Sequence, residues 1–162
     1  MSDPRNAELV GVIERQLVLS ARLFAAVGEA MSRDVPRLGR TGNAAVMVAG
    51  LIENYYTCLE TAYQKISQHF ENHLEPGRWH ADLLDKMTLH IKGVRERVIG
   101  DDTHGFLREL LKFRHFKRYY FELEYDWLKL DYLMTVYERV QSPLNRDLDA
   151  FQVFLERLLR EE

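Results

Sequence analysis

Apolar residues recur along this chain at helical intervals, separated by short breaker-rich stretches. In the first periodic stretch, Leu9, Val12, Ile13, Leu17, Leu19, Phe24, Val27 and Met31 keep mostly three- and four-residue spacing, which places them on one face of a helix. The spacing predicts a helix from about Pro4 to Met31. A second and stronger stripe, Val48, Leu51, Ile52, Tyr55, Leu59, Ala62, Tyr63, Ile66 and Phe70, predicts a long amphipathic helix from about Gly42 to Phe70. A shorter helix is expected from Trp79 to about His90. A loop through Gly93 and Gly100 follows, and Asp101, Asp102 and Thr103 are N-cap candidates for the next helix. That helix begins near Thr103, with an expected break near Tyr125–Asp126, and runs on to Val140. Ser142–Pro143 reads as an N-cap and a first-turn proline. It opens a last helix to Arg160, striped by Leu144, Leu148, Phe151, Phe154, Leu155 and Leu158.

The four prolines, Pro4, Pro36, Pro76 and Pro143, fall between these stretches, as their lack of an N–H requires. No alternating strand pattern of useful length and no fixed-period repeat is present. The expected fold is all-α: an antiparallel bundle of four long helices plus a short extra helix, in a single domain over residues 1–162.

Composition narrows the function. Hydrophobic residues make up 46% and charged residues 29% of the 162 positions, which suits a globular domain rather than a disordered chain. The longest apolar run, Asn43 to Ile52, is about half a membrane span, and no secretory signal pattern opens the sequence. Membrane contact is not expected. Cys58 is the lone cysteine. It excludes an intrachain disulfide and a Cys-rich zinc site, and a reducing cytoplasm is the simplest compartment. On the second helix it reads as a small buried apolar residue. The net charge of −3 means that any nucleic-acid contact must come from a local patch.

Several chemistries lack their minimum parts. A di-iron bundle needs Glu-x-x-His on two helices, and none of the six histidines has Glu three residues before it. There is no His-Glu-x-x-His, phosphate-binding Gly-x-x-x-x-Gly-Lys or Gly-x-Ser-x-Gly motif. His69, His73 and His80 lie close in sequence. They read as a solvated helix end rather than a metal site, because carboxylate ligands at matching spacing are missing. No metal or other cofactor is expected.

One segment stands apart. Arg108, Lys112, Arg114, Lys117 and Arg118 are opposed only by Glu109, a local charge of +4 with His115 neutral. Phe113, Phe116, Tyr119, Tyr120 and Phe121 are interleaved with them. Such a helix can simply turn its cations to water and its aromatics to the core. Yet Leu107, Leu111, Arg114, Arg118 and Phe121 share one helical spacing, so two arginines extend an apolar stripe and need a partner, an interface or a cleft. Arginine beside aromatics also suits phosphate and base-stacking contacts with RNA. The aromatics Tyr119, Tyr120, Phe121, Tyr125, Trp127, Tyr132 and Tyr137 are too many for one stripe, which favours an interface.

The string LLKFRHFKRYYFELEYDW resembles the motif helix of HepT-like proteins in the HEPN superfamily. WHADLLDKMTLHIKGVRERVI and ENYYTCLETAYQKI resemble earlier segments of that family, in the same order. The resemblance implies a helical bundle that forms a homodimer and acts as a metal-independent RNase toxin. It also implies a nucleotidyltransferase antitoxin that modifies the toxin's motif tyrosine. The family motif is Arg-x4-His-x-Tyr. Arg114 matches its arginine, while the histidine and tyrosine positions hold Tyr119 and Phe121. Phe121 has no hydroxyl to receive a nucleotide. His115, about 40° around a helix from Tyr119, is a candidate for the missing imidazole. Arg114 and position 119 are about 140° apart and would need a distorted helix end, or two subunits, to meet at one phosphate. The expected catalytic residues are therefore Arg114, His115 and Tyr119, with Arg108, Lys112, Lys117, Arg118 and Tyr120 binding RNA. The alternative is a non-catalytic interaction module that binds a nucleotidyltransferase or RNA without cutting.

Overall fold

A computed structural model describes residues 3–71, 79–118 and 125–161, leaving aside the side chains of residues 115–118 and 161. Its elements are α1 (Pro4–Glu29), a π-helical turn (Ala30–Asp34), α2 (Val35–Leu38), α3 (Gly42–Phe70), α4 (Trp79–Lys86), α5 (Asp101–Arg118) and α6 (Trp127–Glu161). The fold is all-α and HEPN-like, with four long helices and short extra ones. The only strand-like pairing among the described residues is an isolated bridge between Ile91 and Arg95.

Cross-helix contacts fix the directions. Asn6 meets His69, Gln16 meets Cys58 and Phe24 meets Tyr55, so α1 and α3 run antiparallel. Thr103 meets Asp147 and Glu109 meets Tyr132, so α5 and α6 do the same. The α3 stripe forms the centre of the core: Val48, Ile52, Tyr55, Leu59, Ala62, Tyr63 and Ile66 are all buried. Phe24, Tyr55 and Tyr137 pack ring to ring at 4.4–6.1 Å between centroids, joining α1, α3 and α6.

The predicted bounds of α3 match. Thr41 caps it, its hydroxyl accepting from the Ala44 amide at 3.1 Å, and this supplies one of the partners a helix start lacks. Elsewhere the structure corrects the expectations. The first helix does not stop at Met31. It passes into the π turn, where the Val35 amide reaches the Ala30 carbonyl, and ends at Gly39. Pro36 cannot complete an α-type bond, and a wider turn absorbs the mismatch. Gly39 has φ of 78°, the left-handed conformation that glycine adopts without strain.

Pro143 opens no new helix. It lies inside the continuous α6, because Leu133, Tyr137, Val140, Leu144, Leu148, Phe151 and Leu155 are buried in one unbroken phase across it. The expected interruption near Tyr125–Asp126 is present, since those two residues are non-helical ahead of α6.

The third helix ends at Lys86, short of His90. The cause is Arg95, whose guanidinium donates to the Lys86, Leu89 and Glu96 carbonyls at 2.9, 2.9 and 3.2 Å. A cation there satisfies the orphan carbonyls of a helix end. The α5 start is held from α6 rather than by its own candidate caps. Asp147 accepts from the Gly100 amide at 2.8 Å and the Thr103 hydroxyl at 2.5 Å, while Asp101 and Asp102 are exposed in the first turn.

Candidate functional site

Three helices converge on one buried carboxylate. Glu60 lies on α3, one turn beyond Tyr56 on the core-facing stripe, and its side chain is 5% exposed. A lone charge there would be costly. Two partners compensate it. Arg114 of α5 donates through Nη1 to Glu60 Oε1 at 2.6 Å. His80 of α4 places Nδ1 2.8 Å from Oε2. Arg114 Nη1 and His80 Nδ1 are 3.4 Å apart.

The surroundings are aromatic. Trp79 stacks on His80 with centroids 3.6 Å apart, and the Arg114 guanidinium lies 5.9 Å from the Tyr56 ring centre. Burial, reinforced by Glu60 and partly offset by Arg114, pushes the Tyr56 hydroxyl far above its ordinary range. Tyr56 therefore stays neutral at any physiological pH. The Arg114 side chain is 21% exposed, so it sits at the rim of the bundle with one edge inward.

Among the residues expected to act, Arg114 is thus the one the structure places in a defined site. Its position on an apolar stripe is explained by the ion pair with Glu60. Arg108 and Lys112 are exposed on α5, and Lys112 donates to Glu109 at 2.9 Å. That hydrogen bond is the main reason the Glu109 carboxyl titrates below its usual range. His115, Lys117 and Arg118 belong to α5, but their side chains lie outside the described residues, as do Tyr119, Tyr120 and Phe121 altogether.

Sequence reasoning missed Glu60, and it weighed His80 only as one of three clustered histidines. The structure gives two of those histidines separate partners: His69 meets Asn6 of α1 at 2.8 Å, while His80 meets Glu60. His73 lies outside the described residues. A buried glutamate on the apolar face of α3 was the available signal.

The aromatic cluster divides. Tyr137 is core. Trp127 is half-buried, with the Arg40 guanidinium 5.0 Å from its ring centre and its Nε1 donating to the Thr41 carbonyl at 3.3 Å. Tyr132 is 48% exposed. Cys58 is only partly buried, and its thiol donates to the Gln16 side-chain oxygen at 3.2 Å. Among the described residues no helix is long and apolar enough to cross a membrane.

A bundle of four long helices defines a broad class, and the sequence comparison narrows it. The sequence model of a family described as HepT-like protein matches residues 47–155. The match runs from α3 to α6 and includes Glu60, His80 and Arg114. The chain belongs to the HepT-like family. Neither the curated proteins nor the solved structures contain a match.

Proposed function

We propose that this chain is a HepT-type toxin that cleaves RNA without metal, as one cytoplasmic domain over residues 1–162. It works as a homodimer beside a nucleotidyltransferase-type antitoxin. The observation that carries this reading is Arg114. It occupies the family's motif arginine position, reaches the rim of the bundle, and is oriented by a buried carboxylate. An arginine fixed in this way is suited to stabilising charge that builds on a phosphate. The exposed Arg108 and Lys112 supply a neighbouring basic face for the RNA backbone. His115 or Tyr119 would move the proton in the reading drawn from the motif helix alone.

Phe121 has no hydroxyl, so the partner controls this chain by binding rather than by modifying position 121. The test is cleavage of a structured RNA by purified protein in EDTA, with Arg114→Ala alongside. The wild type is expected to cut, and Arg114→Ala to lose about 100-fold or more of the rate. An intact RNA with the folded wild type rejects the nuclease.

A second reading has its own support. Glu60 neutralises Arg114, and positions 119 and 121 lack the motif side chains. A folded wild type that binds RNA or a nucleotidyltransferase without cutting would establish an interaction module.

A further inference from the structure

The motif helix lacks a histidine at position 119, yet an imidazole stands beside Arg114 all the same. We infer that His80, from α4, is the proton-transfer residue of this protein, accepting the substrate's 2′-hydroxyl proton at Nε2, with Glu60 positioning both His80 and Arg114. The inference rests on the RNA-cleaving reading above.

The geometry assigns the roles. A carboxylate facing a guanidinium only accepts hydrogen bonds. His80 Nδ1, 2.8 Å from Glu60 Oε2, therefore carries the hydrogen. That fixes the tautomer and leaves a lone pair on Nε2 in the neutral ring. Nε2 has no hydrogen-bond partner among the described residues, and the side chain is 26% exposed. Trp79, stacked on the ring, restricts its rotation. The same Glu60 carboxylate holds Arg114 through its other oxygen. One rigid group thus sets an imidazole and a guanidinium side by side, 3.4 Å apart at their nearest nitrogens.

Two other described histidines are taken by partners of their own. His104 is engaged by Asp85 at 2.7 Å and His69 by Asn6.

The reaction this pair supports is transphosphorylation. Nε2 takes the proton of the 2′-hydroxyl as O2′ forms its bond to the adjacent phosphorus. The P–O5′ bond breaks, and its electron pair goes to O5′, which takes a proton from water. The imidazolium then gives its proton to the hydroxide left behind. The products are a 2′,3′-cyclic phosphate and a 5′-hydroxyl end, and the edge of Arg114 that does not face Glu60 stabilises the charge on the phosphoryl oxygens.

The experiment compares wild type, His80→Ala, His80→Gln, Glu60→Gln and His115→Ala in EDTA, with circular dichroism confirming the fold. Both His80 variants are expected to cut at least 100-fold more slowly while binding RNA as the wild type does. Millimolar imidazole should restore cleavage to His80→Ala, and His115→Ala should stay near wild type. Glu60→Gln should lower kcat more than it raises KM. Histidine ¹⁵N spectra should show the Nδ1-protonated form of His80 in wild type and its loss in Glu60→Gln. Cleavage by both His80 variants at the wild-type rate overturns the inference and leaves the nuclease standing. So does a loss that imidazole rescues in His115→Ala but not in His80→Ala. A folded wild type that cuts no RNA overturns the nuclease, and with it the role of His80.

Discussion

Arg95 has no exposed side-chain surface, and its charge is met by Glu71, which accepts from Nε at 2.7 Å. With three carbonyls also on its guanidinium, it organises the whole segment between α4 and α5. Replacing it with alanine takes the guanidinium from the 13%-exposed Glu71 carboxylate, which keeps the Ser67 hydroxyl at 3.0 Å, and removes a donor from three carbonyls. We expect Arg95→Ala to cost about 3–5 kcal/mol in urea unfolding. A loss under about 1 kcal/mol would show that water reaches these groups freely. Cys58 offers a gentler test. Burial pushes its thiol pKa up, so less thiolate is present at pH 7.5 than in a free thiol, and thiolate is the nucleophile. Iodoacetamide should alkylate Cys58 more slowly than glutathione at that pH, with the difference vanishing in urea. Equal rates in the folded protein would mean that the Gln16 contact opens readily. Of the candidate site, Arg114 was legible because it interrupts the apolar stripe of one basic, aromatic-rich helix. Glu60 and His80 were not, because they lie 54 and 34 residues away and only the packing of α3 and α4 brings them in.

At the level of elements, the breakers and the periodicity were two separate signals. Where they agreed, the bounds were legible: α3 begins at Gly42 after the Thr41 cap and ends at Phe70. Where they disagreed, the periodicity prevailed. The buried phase through Val140 and Leu144 outweighs one missing hydrogen bond at Pro143, since each fully buried leucine-sized side chain contributes about 1.5–3 kcal/mol. The expected cost of that proline is about 3 kcal/mol against alanine, offset by up to about 1 kcal/mol from its stiffening of the unfolded chain. Pro143→Ala should therefore raise stability by about 2 kcal/mol and leave helix content unchanged by circular dichroism. A destabilised variant would mean that Pro143 is itself needed to seat Leu144 and Leu148. The end of α4 was hidden for another reason. No breaker marks Lys86 as a stop, and its carbonyl, which accepts from the Leu89 amide at 3.1 Å, also accepts from Arg95, nine residues on.

At the scale of the whole molecule, exposed apolar residues accumulate where α2 ends and α6 begins. Arg40 grips Asp131 with two hydrogen bonds of 2.6 and 2.9 Å and covers the Trp127 ring. Leu38 and Leu128, close in sequence to this clamp, are 58% and 79% exposed, and Tyr132 is 48% exposed. Scattered exposed leucines are ordinary, but exposed apolar and aromatic residues flanking an arginine–tryptophan contact have the composition of an interface centre. The proposed homodimer gives this surface an occupant. The clamp fixes the start of α6 in the free subunit, so little ordering would be needed on association. Leu128→Asp adds a charge at a position 79% exposed, outside the buried core. Light scattering should find twice the chain mass for wild type and a single chain for Leu128→Asp, with helicity by circular dichroism unchanged. A variant that stays dimeric would move the interface elsewhere on the bundle. A wild type that is already monomeric would remove the homodimer, and any phosphate site built by two subunits would go with it, whereas the site at Glu60, drawn from one chain, would remain.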